Sequence, residues 1–278
     1  MSPQVAPGVD RVKRAKKIFF VLGCLLALSG LVAGESAADW EVYVAGGLGI
    51  SSADVEADGF VPNGSIVLSG VASDASPLVD GAVGLAIPMD ELVPREYLAD
   101  VRLPNWPVRF EMEAAGLREY EVDTVRGAAP YFSKISATTL MWNVWNDIPM
   151  VQVLRPIQYT FGLGRQPRLR QWLEPGSIYY GAGVGLGVLE FRGTDNVLNG
   201  SDDIYDFAWN VGAGVNYSLT DTVDLSVGYR YVGIGKHEVD LFNGVVAEPN
   251  ASLEYDTHIH ELRLQFRVGV YQFLSPWR

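Results

Sequence analysis

The sequence predicts an all-β protein, a transmembrane antiparallel up-and-down β-barrel of eight strands. The prediction starts from two segments, 207–219 and 223–231, in which apolar residues alternate with small or polar ones. Successive side chains of a strand point to opposite faces, so each segment predicts a strand with one apolar face. Each is about as long as a bilayer crossing, which takes roughly 9–11 tilted residues. Since only residues 220–222 separate them, the two predict a lipid-facing hairpin.

The same two-residue period predicts six further strands. An even number of antiparallel strands can close without a free edge, which lipid requires because an unpaired backbone group there costs several kcal/mol. The eight predicted strands, in order, are 40–50, 79–87, 108–115, 134–146, 178–189, 207–219, 223–231 and 258–273.

The apolar face of each predicted strand is expected to point outward, to lipid. The second strand, 79–87, is the weakest, and Pro88 ends it. Glycine fills most of the inward face of the fifth strand, and charged residues fill that of the third. The outward residues of the clearest cases are Val42, Val44, Leu48 and Ile50; Phe110, Met112 and Ala114; Leu140, Trp142 and Val144; and Leu262, Leu264, Phe266 and Val268.

The connections between these strands differ in length and composition. Four of them are rich in Asp, Asn, Gly and Ser and are predicted to be outer loops: 51–78, 117–133, 192–205 and 237–257. Two long connections, near 89–106 and 149–176, are predicted on the periplasmic side. A strand at 151–161 would raise the number to ten, which stays an alternative, although Pro156 argues against a central place in a sheet.

The N-terminal segment 1–38 has the three parts of a secretory signal peptide. Basic residues at 11–17 precede an apolar run at 18–33, and a small-residue cleavage site ends at Ala38. The apolar run is on the short side for a membrane anchor. The barrel domain would then be 39–278. The only cysteine, Cys24, lies within the signal segment, so the predicted mature chain has no thiol for a disulfide or a metal site.

The charge of the predicted mature chain excludes one class of partner. The signal segment holds five of the 21 Lys and Arg and two of the 33 Asp and Glu, which leaves 16 against 31, a net charge of −15. Such a chain repels nucleic acid phosphates, so no nucleic acid partner is expected.

Several motifs resemble the OmpA-like, porin-family outer-membrane β-barrels of the small eight-stranded type without a peptidoglycan-binding domain. The resemblance is strongest from 178 onward, in the segments 180–185, 210–215, 225–231 and 261–264. It implies a location in a bacterial outer membrane, with outer-membrane lipid, lipopolysaccharide and the outer-membrane assembly machinery as partners. Members of that family often end on an aromatic residue. Here Tyr271 and Phe273 are aromatic but fall on the inward parity.

The inward faces supply charged residues of both signs on separate strands. An eight-stranded barrel is only wide enough for side chains to fill it, so these charges are expected to pair and close the lumen. The pairs would be structural or would form a gated ion path. The predicted lumen network consists of Glu41, Arg109, Glu111, Glu113, Asp224, Arg230, Glu261, Arg263 and Arg267.

The predicted function is non-enzymatic, in envelope structure or surface interaction through acidic outer loops, with no cofactor, no metal and an unknown oligomeric state. A narrow passive diffusion channel is one alternative. A lipid A-modifying enzyme is another, because His258 and His260 share one strand face, but the spacing shows no serine nucleophile near them.

Overall fold

The computed structural model describes residues 40–60, 67–92, 106–126, 129–155, 167–194, 198–243 and 251–270. Its eight antiparallel strands form a closed barrel in which each strand pairs with the next and β1 pairs with β8. The strands are β1 (Glu41–Phe60), β2 (Val67–Pro88), β3 (Pro107–Arg126), β4 (Ala129–Pro149), β5 (Gly176–Thr194), β6 (Leu198–Ser218), β7 (Val223–Asn243) and β8 (Ala251–Gly269). The predicted eight-stranded barrel is therefore confirmed, and the pairing of β1 with β8 leaves no place in the barrel for the two strands of the ten-strand alternative.

In the described parts of the two long connections at one rim, three short helices occur: α1 (Met89–Leu92), α2 (Met150–Val153) and α3 (Pro167–Leu173). None of the described helices is long and apolar enough to cross a membrane. The tight turn 219–222 lies at the same rim, which we assign to the periplasm because short turns face that side. Part of the segment 151–161 is helical, since α2 covers its start, and residues 156–166 lie outside the described part.

The strands are about twice as long as a membrane crossing needs, with 19 to 22 residues each. The prediction that 51–78, 117–133, 192–205 and 237–257 are outer loops was wrong for most of these residues, which continue the strands instead. The predicted loops were too long because the apolar outward face, which was used to recognise a strand, ends where the membrane ends. Beyond that point the residues still alternate, but the apolar ones face inward and the polar ones face outward.

Within the membrane-spanning half, nearer the periplasmic rim, the outward face is apolar and the interior is polar. Leu48, Ile50 and Trp142 each expose 61% of their surface, whereas Glu113 and Glu261 in the interior expose none. The outward face of this half therefore resembles the lipid-facing band of a membrane barrel.

In the outer half of the same strands the arrangement is reversed. Fourteen buried apolar residues fill the interior: Ala53, Val55, Tyr120, Ile135, Ala137, Met141, Leu189, Phe191, Ala208, Val232, Ile234, Val239, Tyr255 and Ile259. The outward positions between them carry Asp54, Glu190, Glu238 and Glu254. This half is built like a water-soluble barrel with a packed apolar core.

Irregularities in strand pairing mark the passage from one half to the other. The register shifts between Ala115 and Arg118 in the β3–β4 pair and between Ile234 and His237 in the β7–β8 pair. Leu117 adopts φ 65°, a conformation rare outside glycine, and this bulge turns Leu117 outward and Arg118 inward. The extra residue changes the inward parity from odd to even numbers along β3.

The C-terminal strand pairs with β1 without a register shift as far as Gly269. Tyr271 and Phe273 lie outside the described residues, as does the predicted signal peptide, which stays a prediction.

Replacement of Phe191 by Ala tests the apolar core of the outer half. Phe191 is 2% exposed and packs against Tyr255 with ring centroids 5.0 Å apart. We expect Phe191→Ala to lower the free energy of unfolding by about 3–5 kcal/mol, measured by denaturant unfolding in detergent or lipid. The matched control is Phe132→Ala, on the outward face of β4 and 56% exposed, which should change it by less than about 0.5 kcal/mol. Equal effects would contradict the packed interior.

Candidate functional site

The candidate site is the polar interior of the membrane-spanning half. All nine residues of the predicted lumen network lie on the inward parity of their strands, and eight of them form ion pairs: Arg109, Glu111, Glu113, Asp224, Arg230, Glu261, Arg263 and Arg267. Glu41 makes no ion pair with a described residue. Its carboxylate lies beside Gly269 at the periplasmic rim.

The centre of the network is the carboxylate of Glu113 on β3, which is fully buried. One of its oxygens is 2.5 Å from Nη1 of Arg230, and the other is 2.9 Å from Nη2 of Arg263. Arg230 lies on β7, four strands from β3 and so on the opposite wall of the barrel. The pair therefore crosses the full width of the lumen.

Glu261 is the second bridging carboxylate. It lies 2.7 Å from Nη2 of Arg230 and 3.0 Å from Nη2 of Arg118, and Arg118 also donates a hydrogen bond to Thr139. Arg263 connects the cluster to Asp80 at 2.9 Å. The arginines and carboxylates alternate, so each buried charge faces at least one of the opposite sign, the condition under which burial of an ion is tolerated.

A second cluster lies closer to the periplasmic rim. Arg109 forms a 2.8 Å contact with Asp147 and a 3.4 Å contact with Glu111. Glu111 also accepts hydrogen bonds from Tyr43 at 2.9 Å and from the indole of Trp145 at 3.3 Å. Beyond it, at the rim, Arg267 pairs with Asp224 and stacks over the ring of Tyr43.

Amide side chains and bulky rings fill the space between the charges. Asn210 donates to Asn143, and Asn216 donates to Asp147, each across a strand. A cavity of about 20 Å³ lies beside Arg109 and Arg230, room for roughly one water molecule. A cavity of about 100 Å³ lies at the periplasmic mouth, next to Glu41 and Arg267. Neither of these cavities passes through the ion-paired layer.

Three network members were missed in the sequence: Asp80, Arg118 and Asp147. Asp80 lies in the weakest predicted strand, and Asp147 follows the predicted end of the fourth. Arg118 fell in a predicted loop, and strict alternation along β3 would place it outward. Only the bulge at Leu117 brings it inside, and the two-residue alternation does not signal that bulge.

The model of the family described as outer membrane protein beta-barrel domain matches residues 24–267. The chain belongs to this family.

Solved structures of outer-membrane barrels also match this member of the family, and no curated protein does. Neisserial surface protein A is 18% identical, and the match covers 84% of this chain and 99% of that one with a TM-score of 0.39. OprG from Pseudomonas aeruginosa is 10% identical, with coverage of 82% and 96% and a TM-score of 0.42. The outer membrane protein AlkL is 14% identical, with coverage of 85% and 94% and a TM-score of 0.40.

The three histidines occupy two different environments. His258 and His260 lie on the outward face of β8, where each contacts a tyrosine and a carboxylate. His237 points into the outer half of the barrel, with Nδ1 3.2 Å from Asp206. Burial lowers the pKa of His237, partly opposed by the charge of Asp206, so the imidazole is neutral at pH 7 beside the apolar core. No group of described His, Cys, Asp and Glu side chains is arranged to hold a metal ion.

Replacement of Arg230 by Ala tests the network. The change leaves Glu113 and Glu261 buried with fewer partners, so we expect the free energy of unfolding to fall by about 3–5 kcal/mol. The control is Lys236→Ala, on the outward face of the same strand, where the lysine pairs with Glu254 at 3.0 Å and is 65% exposed. That pair should contribute less than about 1 kcal/mol. An Arg230→Ala barrel as stable as the control would show that the lumen is hydrated.

Proposed function

We propose that this family member is a non-enzymatic barrel of the bacterial outer membrane with a closed lumen. The observation that carries the proposal is the presence of two closing layers in series. An ion-paired layer from Glu113 to Arg230 crosses the lumen, and an apolar core around Ile234 and Tyr255 lies above it. A permeating ion would have to break buried pairs and then enter an apolar core, and each of these steps is costly.

The narrow passive channel that the sequence left as an alternative finds no support in this arrangement. The bore of an eight-stranded barrel is filled by side chains, and no cavity described above connects the two rims. A gated path would require Arg230 and Arg263 to move together, because they share the carboxylate of Glu113.

The enzymatic alternative rests on His258 and His260, and both ring nitrogens of each are engaged by a tyrosine and a carboxylate. Ser52 lies directly opposite His260 in the β1–β8 pair, a placement that the sequence spacing did not reveal. However, Nδ1 of His260 is 2.5 Å from the hydroxyl of Tyr229, and Nε2 is 3.3 Å from Asp54. Since both nitrogens are engaged, neither is available to take a proton from Ser52.

The acidic outer wall supports a role in envelope structure or surface interaction. Among the side chains described in the outer half, nine acidic residues lie outward, Asp54, Glu119, Glu121, Glu190, Asp203, Glu238, Asp240, Glu254 and Asp256, against three basic ones, Lys134, Arg192 and Lys236. This wall stands above the lipid-facing band on a rigid packed core. The partners that we propose are outer-membrane lipid and lipopolysaccharide, the outer-membrane assembly machinery during insertion, and no nucleic acid. The acidic residues of this wall lie on extended strands.

Conductance in a planar bilayer tests the closed lumen. The reconstituted protein should show no steady openings, and the Glu113→Ala/Arg230→Ala variant should stay closed as well, because the apolar core is intact. An open porin in the same bilayer is the control for incorporation. Steady single-channel openings of the wild-type protein would overturn the proposal in favour of the channel.

A further inference from the structure

Five rings form a continuous surface on the outward face of β6, β7 and β8. We call this set the aromatic platform: Trp209, Tyr229, Tyr231, His258 and His260. Tyr231 is at its centre. Its ring centroid lies 5.4 Å from that of Trp209, 5.7 Å from His258 in a stacked arrangement and 5.2 Å from His260 edge-on.

The rings of the platform are held in place by hydrogen bonds. The hydroxyl of Tyr231 lies 2.8 Å from Nδ1 of His258, and that of Tyr229 lies 2.5 Å from Nδ1 of His260. The Nε2 atoms lie 3.4 Å from Asp256 and 3.3 Å from Asp54. A neutral imidazole accepts from the phenol through Nδ1 and donates to the carboxylate through Nε2–H. Two parallel Tyr–His–Asp chains therefore fix the rings.

The platform also depends on a close approach of Trp209 to the neighbouring strand. Its indole covers Gly233 on β7, where a Cβ atom would lie 2.6 Å from Nε1. Only glycine leaves room for the ring at this position. The result is a set of contacting rings, tilted 51° between Trp209 and Tyr231, in which Trp209 is 40% exposed.

The residues below and above the platform show its level relative to the membrane. Directly below are Ile50 and Leu262, in the lipid-facing band, and directly above are Asp256 and Glu254. The platform thus spans the level at which lipid headgroups meet water. On the opposite wall, β4 passes from Leu140 through Thr138 to Ser136 at the same change of polarity, without an aromatic ring.

The chemistry of the platform favours a sugar. The apolar face of a pyranose ring packs on flat aromatic rings, and its hydroxyl groups donate to carboxylates such as those of Asp54 and Asp256. No lysine or arginine belongs to the platform, and Lys236 above it pairs with Glu254, so the platform itself offers a phosphate no cationic side chain of that kind. We infer that the platform binds the sugar headgroup of an outer-leaflet glycolipid, whose acyl chains continue down the wall at Ile50 and Leu262. The inference does not depend on whether the lumen is closed.

Binding of deep-rough lipopolysaccharide to the purified protein in mild detergent tests the inference by native mass spectrometry. The platform variant is Trp209→Ala/Tyr231→Ala. The control is Trp142→Ala/Tyr180→Ala, which removes a tryptophan and a tyrosine ring, both more exposed than Trp209, from β4 and β5 on the far wall. We expect the platform variant to bind at least about tenfold more weakly and the control to bind like the wild type. Heat-modifiable gel mobility verifies that each barrel is folded.

Three further ligands show which part of the glycolipid the platform recognises. Dephosphorylated lipopolysaccharide should bind as tightly as the phosphorylated form; loss of binding would assign recognition to phosphate and overturn the inference. Phosphatidylethanolamine should compete poorly with lipopolysaccharide. Equal competition would show that the platform is an ordinary aromatic girdle without preference for a sugar, and would overturn the inference. Acyl-free core oligosaccharide should bind more weakly than the glycolipid. Equal binding would place the partner outside the membrane and would also overturn the inference.

Discussion

The limited width of an eight-stranded barrel determines most of this structure. The backbone must close on itself in lipid, because unpaired N–H and C=O groups are not tolerated there. With eight strands the interior is then just wide enough for side chains to meet across it. Glu113 and Arg230 lie on opposite walls and still pair at 2.5 Å. A wider barrel would leave the two side chains hydrated and too far apart to pair.

The same constraint explains why the interior changes character along the strands. In lipid the outward face is apolar, and the inward face holds paired charges that share the narrow space. Above the membrane the outward face meets water, so the apolar residues move to the inside around Ile234 and Phe191. The bulge at Leu117, which adds one residue to β3, brings Arg118 inward at this transition. The pairing of Arg118 with Glu261 joins the two layers.

The sequence predicted the barrel, its strand number and the inward faces because the two-residue period is a local property of the chain. It did not predict the strand lengths, since only an apolar outward face was read as strand. Asp54 and Glu238 therefore fell in loops, although they continue β1 and β7. The sequence also did not predict which charges pair, because pairing across the lumen depends on the shear of the barrel and on bulges in its strands. The aromatic platform shows the same limit, since strand register, not spacing in the sequence, brings Trp209, Tyr231 and His258 together.

Thiol reactivity at two adjacent positions of β7 tests the reversed outer half most directly. Val239 is buried in the interior, and Glu238 is exposed on the outward face. A cysteine at position 238 should react at once with a charged, membrane-impermeant thiol reagent on the folded protein. A cysteine at 239 should react only after unfolding. Equal rates at the two positions would show a water-filled outer half and would contradict the closed, packed barrel.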